Sequence, residues 1–332
     1  MSSFNYKYIK IGTIDDLKDI SVNTGSFWQS PLWAQILTKT GQAEVFVIEN
    51  WEKPIFIERR AIWKGFSGLY ILWIQDTAIT EVLLTSIKTT IVSGKDLFLQ
   101  IETLDSVQTT WNTGNAPFRR FIEPVTALLD LTLPEETLLT SFAEKGRYNI
   151  RLAQKRGITT RWVMSSDKYS SGKTYLEEFF NLLDETTKRD GFSHNSLWYY
   201  QHFVETLESH NAGGLLIAEK DGTLHAAGVF AYFWESALYY YGASSSDREI
   251  RRDMATYLLQ WDAIREAKKR QCTTYDFLGI SPNGRGKLAG VTEFKLRFNP
   301  EKKHWPREQV IVFRPFMLFL FRCISKLRKL LK

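Results

Sequence analysis

Three stretches of this 332-residue chain carry residue types at spacings that chemistry uses. The first, FAEKGRYNIRLAQKRGITTR from Phe142 to Arg161, sets Lys145, Arg147, Arg151, Lys155, Arg156 and Arg161 against one acid, Glu144. Arg147, Arg151 and Lys155 recur every fourth residue, so on a helix they stack as one stripe. Such a stripe suits a phosphate backbone, from which Lys and Arg displace counterions, and it suits a solvated helix face equally well. The second, GISPNGRGKLAGVTEFKLRFNP from Gly279 to Pro300, has four glycines and two prolines and delivers Phe294 and Lys295 onto an expected strand. A lysine there can stabilise an oxyanion or hold a phosphate, or can simply face solvent. The third, TTKRDGFSHNSLWYY from Thr186 to Tyr200, offers Asp190 and His194 either as acid and base or as capping and packing groups, with Asn195 or Ser196 capping the helix that follows. His194, His202, His210, His225 and His304 show no metal-ligand spacing with carboxylates or cysteines, so no metal site is expected.

The elements that must position these groups centre on Leu238 to Ile280. Leu238–Tyr241 reads as a buried strand and Gly242–Ser246 as a loop. Met254, Tyr257, Leu258, Trp261 and Ile264 give one apolar helix face, and Thr274–Leu278 gives a second strand. Strand, helix and strand in that order predict a right-handed crossover with parallel strands. A ligand would then sit at the carboxyl ends, near Gly242–Ser246 and Gly279–Ser281. Upstream, a helix over Ser26–Gly41 is capped by Ser30 before Pro31, and a hairpin over Glu44–Trp63 follows. Then come a strand at Leu69–Ile74, a helix at Glu81–Ser93 and a strand at Leu97–Glu102. The second half repeats this order: helices at Lys173–Arg189 and Ser196–Ser209, a hairpin turning at Lys220–Gly222, then the crossover. An α/β fold made of a duplicated module follows, with its boundary near Phe121 to Leu133.

The formal net charge is +6, and residues 313–332 carry Arg314, Arg322, Lys326, Arg328, Lys329 and Lys332 with no acid. The rest of the chain is neutral overall, so a polyanion would have to be held by a local patch. The tail, FRPFMLFLFRCISKLRKLLK, reads as a basic amphipathic helix with Phe316, Phe319, Leu320, Cys323, Leu327 and Leu330 on its apolar face. Its apolar run is far short of the ~20 residues a membrane span needs. It suits either an anionic leaflet surface or docking back onto the body. Two cysteines, Cys272 and Cys323, make no disulfide framework, and the first residues lack a signal-peptide pattern, so a cytoplasmic protein is expected.

Several blocks together resemble the FemABX family of peptidoglycan aminoacyltransferases: QSPLWAQ (Gln29–Gln35), KGRYNIRLAQKRGI (Lys145–Ile158), TTKRDGF (Thr186–Phe192), Tyr240–Ile280 and GVTEFKLRF (Gly290–Phe298). The resemblance implies two tandem acetyltransferase-like (GNAT) domains with mixed sheets, in the compact form without a long helical arm. It places the family's motif lysine at Lys295, beside the aromatic Phe294, in reach of the tRNA acceptor end and the developing oxyanion. Tyr199 or Tyr200, and Tyr241, would line the precursor groove. The diphosphate contacts fall near His194, at the Asn195 position, and near Lys39. The run YILWIQD, Tyr70 to Asp76, departs from the Pro-Arg-Gly-Pro-like run of relatives, as FNP (Phe298–Pro300) does from a Phe-Gly.

The expectation is therefore an enzyme that moves an amino acid from aminoacyl-tRNA to the stem-peptide amine of a peptidoglycan precursor, lipid II or its UDP-MurNAc-peptide form. An aminoacyl ester is already activated, so a held amine attacks it largely through proximity. Lys295 would stabilise the oxyanion, and Asp276, Asp76 or the substrate would take the proton. Arg147, Arg151 and Lys155 would hold tRNA. No cofactor is expected, and the protein is expected to be a monomer in peripheral contact with the inner leaflet. The expected domains are 1–130, 131–312 and the tail 313–332. An acyl-CoA-dependent N-acyltransferase and a non-catalytic precursor-binding protein are the alternatives. The Gly242–Arg252 loop lacks the glycine pattern that wraps a CoA pyrophosphate.

Overall fold

The structure is a computed structural model and describes residues 7–11, 26–49, 54–74, 80–104, 117–121 and 123–330. Asp76 lies outside them. The chain forms two compact units, Met1–Phe121 with Trp305–Lys332, and Ile122–His304.

The first unit begins with β1 (Lys7–Ile11), α1 (Pro31–Lys39), β2 (Glu44–Glu49), β3 (Ile55–Trp63), β4 (Phe66–Ile74), α2 (Glu81–Thr90) and β5 (Asp96–Thr103). Ser30 caps α1 by accepting from the Trp33 amide, with Pro31 in the first turn, and Thr80 caps α2 through Leu83. Lys64 and Gly65 both have positive φ, 46° and 81°, a two-residue turn whose twist matches the strands it joins. The strands β4 and β5 are parallel, with α2 as their crossover. Isoleucines and leucines of β3, β4, α2 and β5, among them Ile57, Ile71, Leu83 and Leu99, form the core.

The second unit runs β6 (Val125–Asp130), α3 (Glu135–Ser141), α4 (Glu144–Lys155), β7 (Thr159–Val163), α5 (Tyr175–Asp190), α6 (Leu197–Ser209), β8 (Gly213–Lys220), β9 (Thr223–Phe233), β10 (Ser236–Ser244), α7 (Arg248–Arg251), α8 (Ala255–Lys269), β11 (Thr274–Gly279), α9 (Ala289–Leu296) and β12 (Glu301–His304). Its sheet has the order β12-β6-β11-β10-β9-β8-β7, with β10 and β11 parallel and α8 between them. The helix α8 buries Leu258, Leu259, Trp261 and Ile264 in this unit's core. The N-terminus of α4 is docked by Ala143 N–H donating to the Arg297 carbonyl, and a Cβ on Gly146 would stand 2.3 Å from that oxygen. The chain then returns to the first unit as β13 (Gln309–Val312), antiparallel to β5, and α10 (Pro315–Leu330). The first sheet thus has the order β1-β2-β3-β4-β5-β13.

Three local expectations change and one pair of alternatives is resolved. The boundaries fall at 121/122 and 304/305 rather than 130/131 and 312/313, because β6 pairs with β11 while β13 and α10 complete the first unit. Gly242–Ser244 is strand, not loop: after a bulge between Tyr239 and Tyr241 the small residues of β10 pair with Ala226–Gly228 of β9. Lys295 sits on the helix α9, where Thr292 and Lys295, three apart, bury one face. Ser196, not Asn195, caps α6.

Candidate active site

The strands β10 and β11 are in register from Ser236↔Thr274 to Leu238↔Asp276, and there their pairing ends. Beyond it β10 bulges, and β11 shifts register against β6 between Asp276 and Gly279, with Leu278 at φ 59°. A non-glycine residue with positive φ beside a bulge is local strain of the kind that collects at functional sites. Lys295 arrives here from α9. Its Nζ donates to the Gly279 carbonyl at 2.8 Å and lies 6.0 Å from the ring centre of Tyr239.

Lys295 is 6% exposed, and burial pulls its pKa from 10.5 down to about 8 against the opposing attraction of Asp276 and Glu123. Asp276 is 4% exposed; burial pushes its carboxyl up to about 6, while bonds from the Thr126 hydroxyl and the Leu278 amide and the charges of Lys295 and Lys303 pull the other way. Near neutral pH both groups are therefore mainly charged, a buried cation and a buried anion that attract one another. One of the three ammonium hydrogens is committed to Gly279, leaving two for a developing negative charge.

Next to this pair the same unit contains a cavity of about 610 Å³. Phe294 and Tyr239 line it, whereas Lys295 and Asp276 do not. The first turn of α8 opens onto it through Met254, Ala255, Thr256 and Tyr257. Met254 is left-handed, φ 57°, and no side chain caps that end of the helix. Lys145, Arg189, Arg248, Arg251, Arg252 and Lys287 line it with one acid, Asp190, which is paired with Arg189, so the lining is positive overall. A helix start without a side-chain cap, set among cations, suits an anion. Two buried donors also face the cavity. Asn149 lies beside the Tyr257 hydroxyl and Gln260 beside that of Tyr239, yet neither Asn149 Nδ2 nor Gln260 Nε2 has a partner at hydrogen-bond geometry. The Tyr239 ring itself is accommodated by Gly242, where a Cβ would stand 1.6 Å from the tyrosine hydroxyl. The cavity thus suits a ligand with an anionic group and a planar body rich in acceptors.

The other residues singled out in the sequence scatter. Tyr199 and Tyr241 meet, hydroxyl to hydroxyl at 3.0 Å, with Tyr200 packed beside Tyr241 at 4.9 Å between ring centres. His194 is taken up by Asp184, Nε2 to carboxylate at 2.6 Å, and Asn195 is exposed before the cap of α6. Lys39 is exposed at the end of α1, and Tyr70 is 2% exposed between Phe98 and Phe121; both belong to the first unit. The basic stripe divides. Arg151 and Lys155 are exposed, but the Arg147 guanidinium bonds the carbonyls of Thr140 and Phe142 and ties α3 to α4. Sequence reasoning missed Asn149 and Gln260 and read Tyr257 only as part of an apolar helix face. The spacing of Lys145 and Asn149, four apart, was the available signal for a cavity face on α4.

The sequence matches the FemAB family over residues 83–222 and 215–326. The lipid II:glycine glycyltransferase of Staphylococcus aureus is 29% identical over 102 residues, 30% of this chain and 22% of that protein, so the match spans about a fifth of that relative's length. Among solved structures, FemX has a TM-score of 0.75 at 16% identity, covering 95% of this chain and 99% of its own. A conserved protein of unknown function from Bacteroides thetaiotaomicron has a TM-score of 0.58 at 10% identity, covering 91% and 98%. These two likenesses are of fold.

Proposed function

The chain belongs to the FemAB family, and from that premise we propose that it is an aminoacyltransferase acting on a peptidoglycan precursor, with aminoacyl-tRNA as donor. The observation that carries this reading is Lys295, a buried ammonium where two parallel strands part, beside a cationic cavity. The tRNA acceptor end would lie in that cavity, its phosphates toward the first turn of α8 and its bases toward Tyr257, Phe294 and the amides of Asn149 and Gln260. The stem-peptide amine attacks the ester carbonyl, a C–N bond forms, and the charge on the carbonyl oxygen is met by Lys295. Collapse breaks the bond to the ribose oxygen, which leaves as a hydroxyl after taking a proton. Asp276 is committed to Thr126 and Leu278, so its part is to keep Lys295 charged, and the amine's proton passes to the substrate itself.

The acceptor amine would be that of lipid II or of its UDP-linked peptide, and Tyr199 and Tyr241 would face it. Action on the lipid-linked form would bring the protein to the inner leaflet. The test is transfer of labelled amino acids from a charged tRNA mixture to each acceptor by the purified protein. No transfer to either acceptor would refute the reading. The uncapped start of α8 favours one second reading, an acyl-CoA-dependent acyltransferase whose pyrophosphate uses the same amides. Transfer from acetyl-CoA but not from aminoacyl-tRNA would select it.

A further inference from the structure

The helix α10 is docked by only part of its apolar surface. Leu318 and Phe321, 2% and 6% exposed, are buried, and Phe321 packs on Trp63 and Phe66 at 5.6 and 5.3 Å between ring centres. Phe316, Phe319 and Leu320 are left 76%, 67% and 41% exposed. A helix that needed only to close the first unit would gain nothing from two phenylalanines in water.

Cations from three separate segments gather at the start of this helix. A Cβ on Gly65, in the β3–β4 turn, would be 4.0 Å from Lys95 Nζ, which belongs to the loop before β5. A Cβ on Gly94 would be 3.6 Å from the guanidinium of Arg314, which immediately precedes α10. Lys64, in the same turn as Gly65, places its ammonium 4.7 Å from the ring centre of Trp63, the residue under Phe321. Lys64, Lys95 and Arg314 are all exposed. Asp96, the acid beside Lys95 in sequence, is fully buried and held by Arg59, Ser67 and Ser93. The tail from residue 313 onward carries six Lys and Arg in all, Arg314 among them, without an acid. Exposed phenylalanines, a tryptophan and clustered cations are the composition of a surface that sits at a lipid headgroup boundary. Among the described residues no helix is long and apolar enough to cross a membrane.

We infer that α10, with the β3–β4 turn and the loop before β5, forms a docking surface for an anionic bilayer: Phe316, Phe319 and Leu320 enter the interface while Lys64, Lys95 and Arg314 meet lipid phosphates. The inference stands on the first unit alone and does not depend on the reaction proposed for the second. The experiment is sedimentation of the full chain with vesicles of equal phosphatidylglycerol and phosphatidylcholine, and with vesicles of phosphatidylcholine alone. The protein should pellet with the first and not the second, and about 1 M salt, where the screening length is about 3 Å, should release it. Phe316→Ser with Phe319→Ser, and separately Lys95→Glu with Arg314→Glu, should each weaken vesicle affinity at least about tenfold. All four positions are exposed, so the melting temperature should hold. Equal binding to both vesicle types, no binding to either, or unchanged affinity in the phenylalanine pair would each overturn the inference. So would a native dimer that the phenylalanine pair converts to monomer, which would make this face a contact between copies.

Discussion

Replacing Lys295 by methionine separates the two consequences of burying a charge. In the folded protein burial lowers the lysine's pKa from 10.5 to about 8. At about 1.4 kcal/mol per unit, this means that holding the ammonium in place below pH 8 costs about 3 kcal/mol of folding stability. Methionine fills similar space with no charge and removes that penalty. It also leaves the Gly279 carbonyl without its donor, a loss of about 1–3 kcal/mol, and deprives Asp276 of a nearby cation. The net change at pH 7 is therefore small, from about zero to 2 kcal/mol of stabilisation. The pH dependence is sharper. Between pH 8 and 10.5 the unfolded chain still holds the proton that the folded native protein has released, so native stability rises with pH across that window. The variant has no such group, and its advantage over the native protein should shrink by about 3 kcal/mol by the top of the window. Urea unfolding of both proteins at several pH values from 7 to 10, followed by tryptophan fluorescence, measures the difference, and titrations common to both cancel. Transfer by the variant should fall by about 10²-fold or more, the scale for losing an oxyanion donor. A stability difference that stays flat from pH 7 to 10 would show that the lysine is not held at a depressed pKa. Near-native transfer would remove it from the chemistry.

Three further outcomes follow from the same geometry. Arg151→Glu with Lys155→Glu should weaken tRNA binding and flatten its salt dependence, whereas Arg147→Ala should cost about 1 kcal/mol of stability and leave the salt slope alone, because Arg147 serves the α3–α4 carbonyls. Filter binding over a salt series, beside thermal melts, separates the two. Gly242→Ala would put a methyl group 1.6 Å from the Tyr239 hydroxyl and should destabilise by about 1–3 kcal/mol while displacing that ring from the cavity, read as a lower melting temperature with reduced turnover. Asp276→Asn removes a charge that holds the Lys295 pKa up, so the alkaline fall of turnover should move to lower pH; an unmoved alkaline limb would uncouple the pair.

Much of the architecture was legible because periodicity and caps survive in a single sequence. Ser30-Pro31 marked the start of α1, Asp221-Gly222 the turn of a hairpin, and Leu258, Trp261 and Ile264 the buried face of α8. The site was less so. Lys295 could be singled out, but its helix could not, since Val291, Phe294 and Lys295 sit in a segment too short for a clear period. A bulge leaves no signature in composition, so Gly242–Ser244 read as a loop although it continues a strand. Asn149 and Gln260 were invisible, since an amide's lack of a partner is a property of its neighbours in space. Arg147 failed in the opposite sense: its spacing belonged to the stripe, but two carbonyls that only the α3–α4 turn brings near claim it.

The repeated architecture also bears on the proposal that the chemistry belongs to the second unit. In each unit a helix joins two parallel strands, and each closing strand buries an acid, Glu102 on β5 and Asp276 on β11. In the first unit, burial and the charges of Glu308 and Glu58 push Glu102 up to about 8, so near neutral pH it keeps its proton, with Gln100 donating to it. The end of β4 is filled by Trp73, at positive φ and packed against Trp28 and Trp305 at 3.9 and 4.7 Å between ring centres. In the second unit a lysine from α9 attracts the acid electrostatically, both stay charged, and the ring at the parting of the strands is Tyr239, which lines a cavity. A neutral buried carboxyl brings no positive charge to an oxyanion. A buried ammonium with two uncommitted hydrogens, near a helix start that no side chain caps, does bring such charge. The same strand–helix–strand unit thus carries packed indoles at Trp73 in one copy and, in the other, a buried lysine and aspartate next to a cavity.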